Sequence, residues 1–154
     1  MSDQPSNNEH PKRSSYLHFY EITTRWSDND IYGHVNNVVY YSYFDTAVNH
    51  YLIHHGELDI HTGNIVGFVV SSRCSYHHPV SYPEKIEVGL RAEHIGNSSV
   101  RYGLGIFKAG SESLCAHGTF VHVFVDRKSN RPVSIPASIR TALEKLNSNT
   151  YTYL

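Results

Sequence analysis

Cysteine, tryptophan and methionine are nearly missing from this chain of 154 residues, which has two Cys, one Trp and one Met. Cys74 and Cys115 stand far apart with no CxxC spacing, which excludes a disulfide framework and a zinc ribbon. An excess of charge of one sign is also missing. Thirteen basic residues against fourteen acidic ones leave a formal charge of −1, without the basic face that nucleic-acid binding needs. A local group of cations for one phosphorylated ligand is still compatible with that balance. No apolar run approaches the roughly 18 residues of a membrane span. The first fifteen residues are polar, carry Asp3 and Glu9 and contain no apolar stretch, so neither a secretory signal nor an acid-poor transit peptide is visible. These absences predict a cytoplasmic protein. The residues present in quantity are twelve His and twelve Tyr. The His make the net charge sensitive to pH near neutrality, and the Tyr supply amphipathic surface of the kind found at subunit interfaces and pocket walls.

With 40% apolar residues besides ten Gly, one domain with its own core is expected. Residues 1–15, rich in Ser, Asn and Pro, read as a disordered tail, 16–146 as the domain and 147–154 as a second tail. Residues 16–25 read as a strand, and 26–35 (WSDNDIYGHV) as a turn-rich loop. Between Asn36 and His55 there is no Gly or Pro, and Gly56 follows as a C-cap candidate. Tyr40, Tyr41, Phe44, Val48, Tyr51, Leu52 and His55 recur at steps of three and four, which predicts a long helix that is apolar around much of its girth and therefore enclosed. Four strands are expected next. The first, over 66–76, places Val66, Phe68, Val70, Ser72, Cys74 and Tyr76 on one face. The second, over 85–95, turns Ile86, Val88, Leu90 and Ala92 inward, and Gly96-Asn97 forms a hairpin turn. Strands over 98–108 and 114–126 and a short helix over 137–146 complete the chain, with no internal repeat. Strand, long helix and a four-strand meander predict an α+β fold in which a curved antiparallel five-stranded sheet wraps around the helix.

The densest segment is 25–45, RWSDNDIYGHVNNVVYYSYFD. Asp28 and Asp30 precede a helix N-terminus, whose free N–H groups and positive dipole end polarise a carbonyl. A carboxylate beside it serves as general base or nucleophile. Carboxylate plus helix terminus is an acyl-transfer constellation that needs no Ser–His–Asp triad. The same two residues also suit simple loop and cap roles. Composition does not rank them, since residues two apart in an extended loop face the same way.

Asp28, Asp30, Gly33, His34, Val35, Asn36, Asn37, Tyr40 and Tyr43, with Asp45 beyond them, resemble the signature of hotdog-fold acyl-CoA thioesterases of the 4-hydroxybenzoyl-CoA thioesterase-like superfamily. The stretches SSRCSYHHP (71–79) and IGNSS (95–99) are similar to this group as well. The resemblance implies hydrolysis of an acyl-CoA to a carboxylic acid and free CoA. It implies Asp30 as the catalytic carboxylate and Asn37, seven residues on, as the position whose backbone N–H polarises the thioester carbonyl. His34 matches the His of the HVNN form in plant acyl-carrier-protein thioesterases, although those relatives carry Asn where this chain has Tyr32. Tyr41 and Asp45 fall on the helix face of Asn37, where Asp45 contacts the pocket or orients a partner residue. Arg73, Arg91, Arg101 and Lys108, on polar strand faces, are the cations available for CoA phosphates, with Arg73 and Arg101 as the chosen pair. The resemblance also implies a homodimer or homotetramer with sites at the subunit boundary, and no metal or other cofactor. His50 and His54 at i, i+4 and the adjacent His77-His78 raise the question of a metal, but no HExxH is present and no third ligand follows from spacing. Two rival activities share the fold: an enoyl-thioester hydratase and an acyl-CoA-binding protein without turnover.

Overall fold

The computed structural model describes residues 10–147; the tail positions 1–9 and 148–154 lie outside them. The elements run β1 (His18–Thr23), α1 (Asn37–Gly56), β2 (Ile65–Tyr76), β3 (Lys85–Ile95), β4 (Ser99–Lys108), β5 (Leu114–Asp126) and α2 (Ala137–Glu144). The five strands form one antiparallel sheet in the order β1-β3-β4-β5-β2. The expected four-strand meander is therefore shorter by one strand. Hairpin turns join β3, β4 and β5, whereas Pro79 and Pro83 occupy the β2–β3 connection and carry the chain across the sheet. β1 takes the place beside β3, and β2 becomes an edge beside β5.

Alternation holds on the inner strands. Ile86, Val88, Leu90 and Ala92 of β3 and Val100, Tyr102, Leu104 and Ile106 of β4 are all buried in one core with α1. It fails on β2, where a bulge at Val70 shifts the register between Val69 and Ser71. Val66 and Phe68 pair with Val125 and Val123, while Ser72, Cys74 and Tyr76 pair with Phe120, Gly118 and Ala116. The two groups thus lie on opposite faces, because one inserted residue inverts every later side chain.

Helix α1 buries Tyr40, Tyr43, Phe44, Ala47, Val48, Tyr51, Leu52 and Gly56. It is not enclosed: Val38, Ser42, Asp45, Thr46 and His55 are exposed, since a single curved sheet covers only one side. Gly56 is the last helical residue, not the cap. A Cβ there would sit 3.4 Å from Ile139 Cγ1, so its small size admits α2. The cap is Glu57, at φ 59° and ψ 30°, with its N–H on Leu52 O. Left-handed backbone disfavours a Cβ, so Glu57→Gly is expected to stabilise the fold by about 0.5–1 kcal/mol after the added chain entropy of the unfolded state is set against it. Thermal melting of the two proteins checks the sign.

One polar ring sits inside this core. His122, on β5, is buried, and its Nδ1 lies 3.3 Å from Tyr102 Oη. Burial pushes its pKa down to about 4. The unfolded chain then binds one more proton than the folded one between about pH 6.5 and 4. Stability contributed at neutral pH is lost as pH falls through this window, at up to about 1.4 kcal/mol per pH unit. Urea melts of wild type and His122→Gln at pH 7, 5.5 and 4.5 are expected to show a shallower pH dependence in the variant.

The polar segment before β1 is placed from His10 onward, against expectation. Arg13 donates from Nη2 to Ser111 O (2.5 Å) and to Glu87 Oε1 (3.3 Å), and its guanidinium lies 4.7 Å from the Phe107 ring centroid. Tyr16 fills the space above Gly89 and Gly105, where a Cβ would come within 2.7 and 2.6 Å of its ring. One Arg and one Tyr fix a strap whose composition is otherwise that of a tail.

Candidate active site

The turn 26–35 and the start of α1 are held as one unit. Trp26–Asp28 forms a single 3-10 turn, and Asn29 bridges to Val35. Between them Asp30 N–H donates to His34 O (2.9 Å) and Gly33 N–H to Asp30 O (3.0 Å), with Gly33 at φ +84°. The β2–β3 connection clamps this loop. Val35 N–H donates to Val80 O (2.7 Å), Ser81 Oγ to Gly33 O (3.0 Å) and Tyr82 N–H to Asn29 Oδ1 (3.0 Å).

The 3-10 turn separates the two aspartates that an extended loop would have aligned. Asp28 is 1% exposed. Its Oδ2 accepts from Arg25 N–H (2.9 Å) and Tyr43 Oη–H (2.8 Å), and its Oδ1 from Arg25 Nε (3.1 Å) and Nη2 (3.0 Å). Four donors fill it. Asp30 is half-buried. Its Oδ1 accepts from Tyr32 N–H (2.9 Å), and among the described residues Oδ2 has no hydrogen-bond partner.

Asn36 caps α1, its Oδ1 accepting from Val38 N–H (3.0 Å), while its own N–H donates to Asp28 O (2.9 Å). Val39 N–H is bonded to Asn36 O (2.9 Å). Asn37, the first helical residue, keeps an N–H without a partner among the described residues. Asn37 lines a cavity of about 240 Å³ together with His34, Tyr40, Tyr76, His77 and His78. Tyr76 Oη–H donates to Asn37 O (3.0 Å) and ties the end of β2 to the helix start. Burial pushes the Tyr40 phenol up to about 12, and burial, with Cys74 and Tyr41 beside it, raises Tyr76 further. Both stay neutral at physiological pH.

The structure brings Asn37 and His34 into one cavity but places Asp30 in another. The second cavity is about 370 Å³ and is lined by Trp26, Asn29, Asp30, Ile31 and Gly33. Tyr41 is half-buried against Phe44. Asp45 is exposed on the uncovered face of α1, its Oδ1 accepting from Asn49 Nδ2 (3.0 Å). Of the four cations, Arg101 Nε pairs with Glu93 Oε2 at 3.2 Å and Lys108 with Glu84 at 3.0 Å. Arg91 Nη2 shares Glu93 at 3.3 Å. Arg73 has no carboxylate partner among the described residues and lines, with Arg91, Ser75 and Thr119, a cavity of about 170 Å³ on the sheet's outer face. The roles of Arg25 and Tyr76 have no pattern in the sequence, and Tyr43, though part of the signature, gives no sign there of its bond to Asp28. All three act through contacts across the turn or from the end of β2.

Solved structures share this architecture. The PA5185 protein of Pseudomonas aeruginosa strain PAO1 is 59% identical, with a TM-score of 0.88, over 90% of this chain and 96% of that one. PA2801, described as a putative thioesterase from the same organism, is 31% identical with a TM-score of 0.78, over 83% of this chain and 98% of that one. A 1,4-dihydroxy-2-naphthoyl-CoA thioesterase from Synechocystis shares the fold at 19% identity and a TM-score of 0.73, over 81% and 93% of the two chains. The curved sheet around one long helix is the hotdog fold. No helix among the described residues is long and apolar enough to cross a membrane. A model of the thioesterase-like superfamily matches residues 24–143, from the loop of both aspartates to the C-terminal helix, and the chain belongs to that superfamily.

Proposed function

We propose that the chain hydrolyses an acyl-CoA to a carboxylic acid and free CoA, in the cytoplasm, as a homodimer or a homotetramer. The observation that carries this reading is the contrast between the aspartates. Asp28 is filled by four donors, whereas Asp30 keeps one carboxylate oxygen open, seven residues before an unpartnered helix N–H. The thioester carbonyl accepts from Asn37 N–H, where the helix dipole favours the growing negative charge. Asp30 either takes a proton from the attacking water or attacks the carbonyl carbon itself, giving an anhydride that water then cleaves; the CoA thiolate leaves in both cases. His34 borders the carbonyl cavity, Tyr41 and Asp45 flank the acyl path along α1, and Arg73 with Arg91 takes the CoA phosphates. Arg91 and Arg101 both contact Glu93, so Arg73, which has no carboxylate partner among the described residues, has the strongest case and Arg101 stands beside it on equal terms with Arg91.

The two half-sites meet when a second subunit covers the loop. Ile31 is 94% exposed beside Asp30, and Phe68, Val69 and Val70 are exposed along β2, an edge strand. Unpaired edges and apolar patches of this kind invite a partner. Light scattering is expected to give at least twice the 17.5 kDa of one chain; a single-chain mass at micromolar concentration would remove the composite site.

The decisive assay is thiol release by the purified protein from short, long and aromatic acyl-CoAs. The aromatic thioester named for the Synechocystis neighbour justifies the third class. Release of one thiol per acid is expected. Hydration of an enoyl-CoA with its thioester intact, or tight binding without turnover, would each replace hydrolysis with a rival activity.

A further inference from the structure

His77 and His78 border the carbonyl cavity and His117 borders the cavity of Arg73 and Arg91, but none of them has a step in the proposed hydrolysis. The fold brings His77 and His117 together with His10 on the sheet face opposite α1. His117 stands on β5 in register with Ser75 and Gly105. The Tyr16 ring over Gly105 marks that face as the outer one, while Phe44 of α1 lies against Gly118 from the other side. His77 follows β2 directly, and its backbone N–H donates to Cys115 O (2.8 Å). His10 belongs to the strap that Arg13 and Tyr16 pin to the sheet. One ring nitrogen from each of His10, His77 and His117 lies within 4.8 Å of the other two. We propose that these three imidazoles bind one divalent first-row transition ion, zinc or its near neighbours, with a fourth position open to solvent, and that the ion fastens the N-terminal strap to β2 and β5.

The donor set is the first reason. Three imidazoles without a carboxylate or carbonyl suit Zn²⁺, Cu²⁺ or Ni²⁺ and not Mg²⁺ or Ca²⁺, which prefer oxygen. The second is rigidity. Two of the donors stand on or next to paired strands, and the third is held six residues before a buried anchor, so little chain entropy remains to be lost on binding. The third is the present geometry. His77 Nε2 and His117 Nδ1 are 2.7 Å apart, nearly coplanar at 13°, and share a hydrogen bond, while the His10 ring lies 4.1 Å from that of His77. Tetrahedral ligands at about 2.0–2.1 Å from zinc stand about 3.3 Å apart, so the pair must open by roughly 0.6 Å. The proton it shares moves to the far nitrogen of its own ring, and a neutral pair releases no proton.

The test uses the full chain, untagged and stripped with chelator, titrated with Zn²⁺ against a chromophoric competitor. One equivalent per protomer is expected. His10→Ala and His117→Gln are each expected to weaken binding at least about tenfold, since loss of even an outer partner of a zinc ligand costs that much. His50→Ala, which removes the His50–His54 pair on α1 as a rival site, is expected to leave the affinity unchanged. Zinc is expected to slow tryptic cleavage after Lys12 and Arg13 in the wild type and not in His10→Ala. Because His10 precedes the folded core, its variant reports even where His117→Gln fails to fold. No saturable zinc binding, or an affinity that His10→Ala leaves within twofold, overturns the proposal. Loss on His50→Ala moves the ion to the helix and overturns it equally.

Discussion

Asp30→Asn is expected to lower kcat for thiol release by at least about 100-fold, equivalent to about 2.7 kcal/mol of barrier lowering, and by up to about 10⁴-fold. The substitution keeps volume and planarity and leaves an oxygen to accept from Tyr32 N–H, so the turn that Gly33 closes should survive. It removes the charge and basicity of the open Oδ2, which either catalytic role requires. The affinity for a non-hydrolysable acyl-CoA should change little, because Asn37 N–H, Tyr40, Tyr76 and Arg73 are untouched. Loss of kcat with binding retained is the signature of a group that acts in the transition state. A base and a nucleophile then separate by trapping: a covalent acyl adduct on Asp30 in rapid-quench experiments marks a nucleophile. Should Asp30→Asn stay within threefold of wild type while Asp28→Asn is inactive, the assignment reverses.

Local patterns were legible wherever neighbours in sequence are neighbours in space. The alternation of Ile86, Val88, Leu90 and Ala92, the helical recurrence of Tyr40, Phe44, Val48 and Tyr51, and the Gly96-Asn97 turn all appear in the fold as read. The position of Asn37 at the helix start, which the resemblance implies, appears in the fold as well, with Asn36 as the capping residue before it. Strand order was not, because nothing in β1 itself states that β3 is its partner and β2 is not. The Val70 bulge was hidden because a bulge depends on the partner strand. His55, in step with the buried helix residues, meets His18 of β1 with ring centroids 5.3 Å apart, yet at that rim of the sheet it stays exposed. The three-imidazole cluster was out of reach for the same reason: His10, His77 and His117 are separated by 67 and 40 positions and meet only when the strap lies over the sheet. Asp28 and Asp30 looked equivalent until the 3-10 turn rotated one inward.

That inward residue carries the second large effect. Asp28→Ala is expected to destabilise the fold by about 2–4 kcal/mol while leaving the chemistry to Asp30. Little of this comes from the Arg25 ion pair, because Arg25 is 72% exposed and solvent screens it. The cost lies in the donors left behind. Tyr43 Oη–H is buried and has its bond to Asp28 Oδ2, and Arg25 N–H loses its acceptor at the start of the 3-10 turn; each deprived donor costs about 1–3 kcal/mol. Burial, and then the Asp28 charge, raises the Tyr43 phenol, so it remains a donor throughout the accessible pH range. Asp28→Asn should cost less, since its amide oxygen replaces one acceptor, and Tyr43→Phe less again, since Asp28 keeps three bonds. The double variant Asp28→Asn/Tyr43→Phe should lose less than the sum of the two, by at least about 0.5 kcal/mol, as partners in one buried bond do. Denaturant midpoints of the four proteins give that coupling. Strict additivity would mean that Asp28 holds the loop through Arg25 alone, and an inactive but fully stable Asp28→Asn would move it from scaffold to reaction.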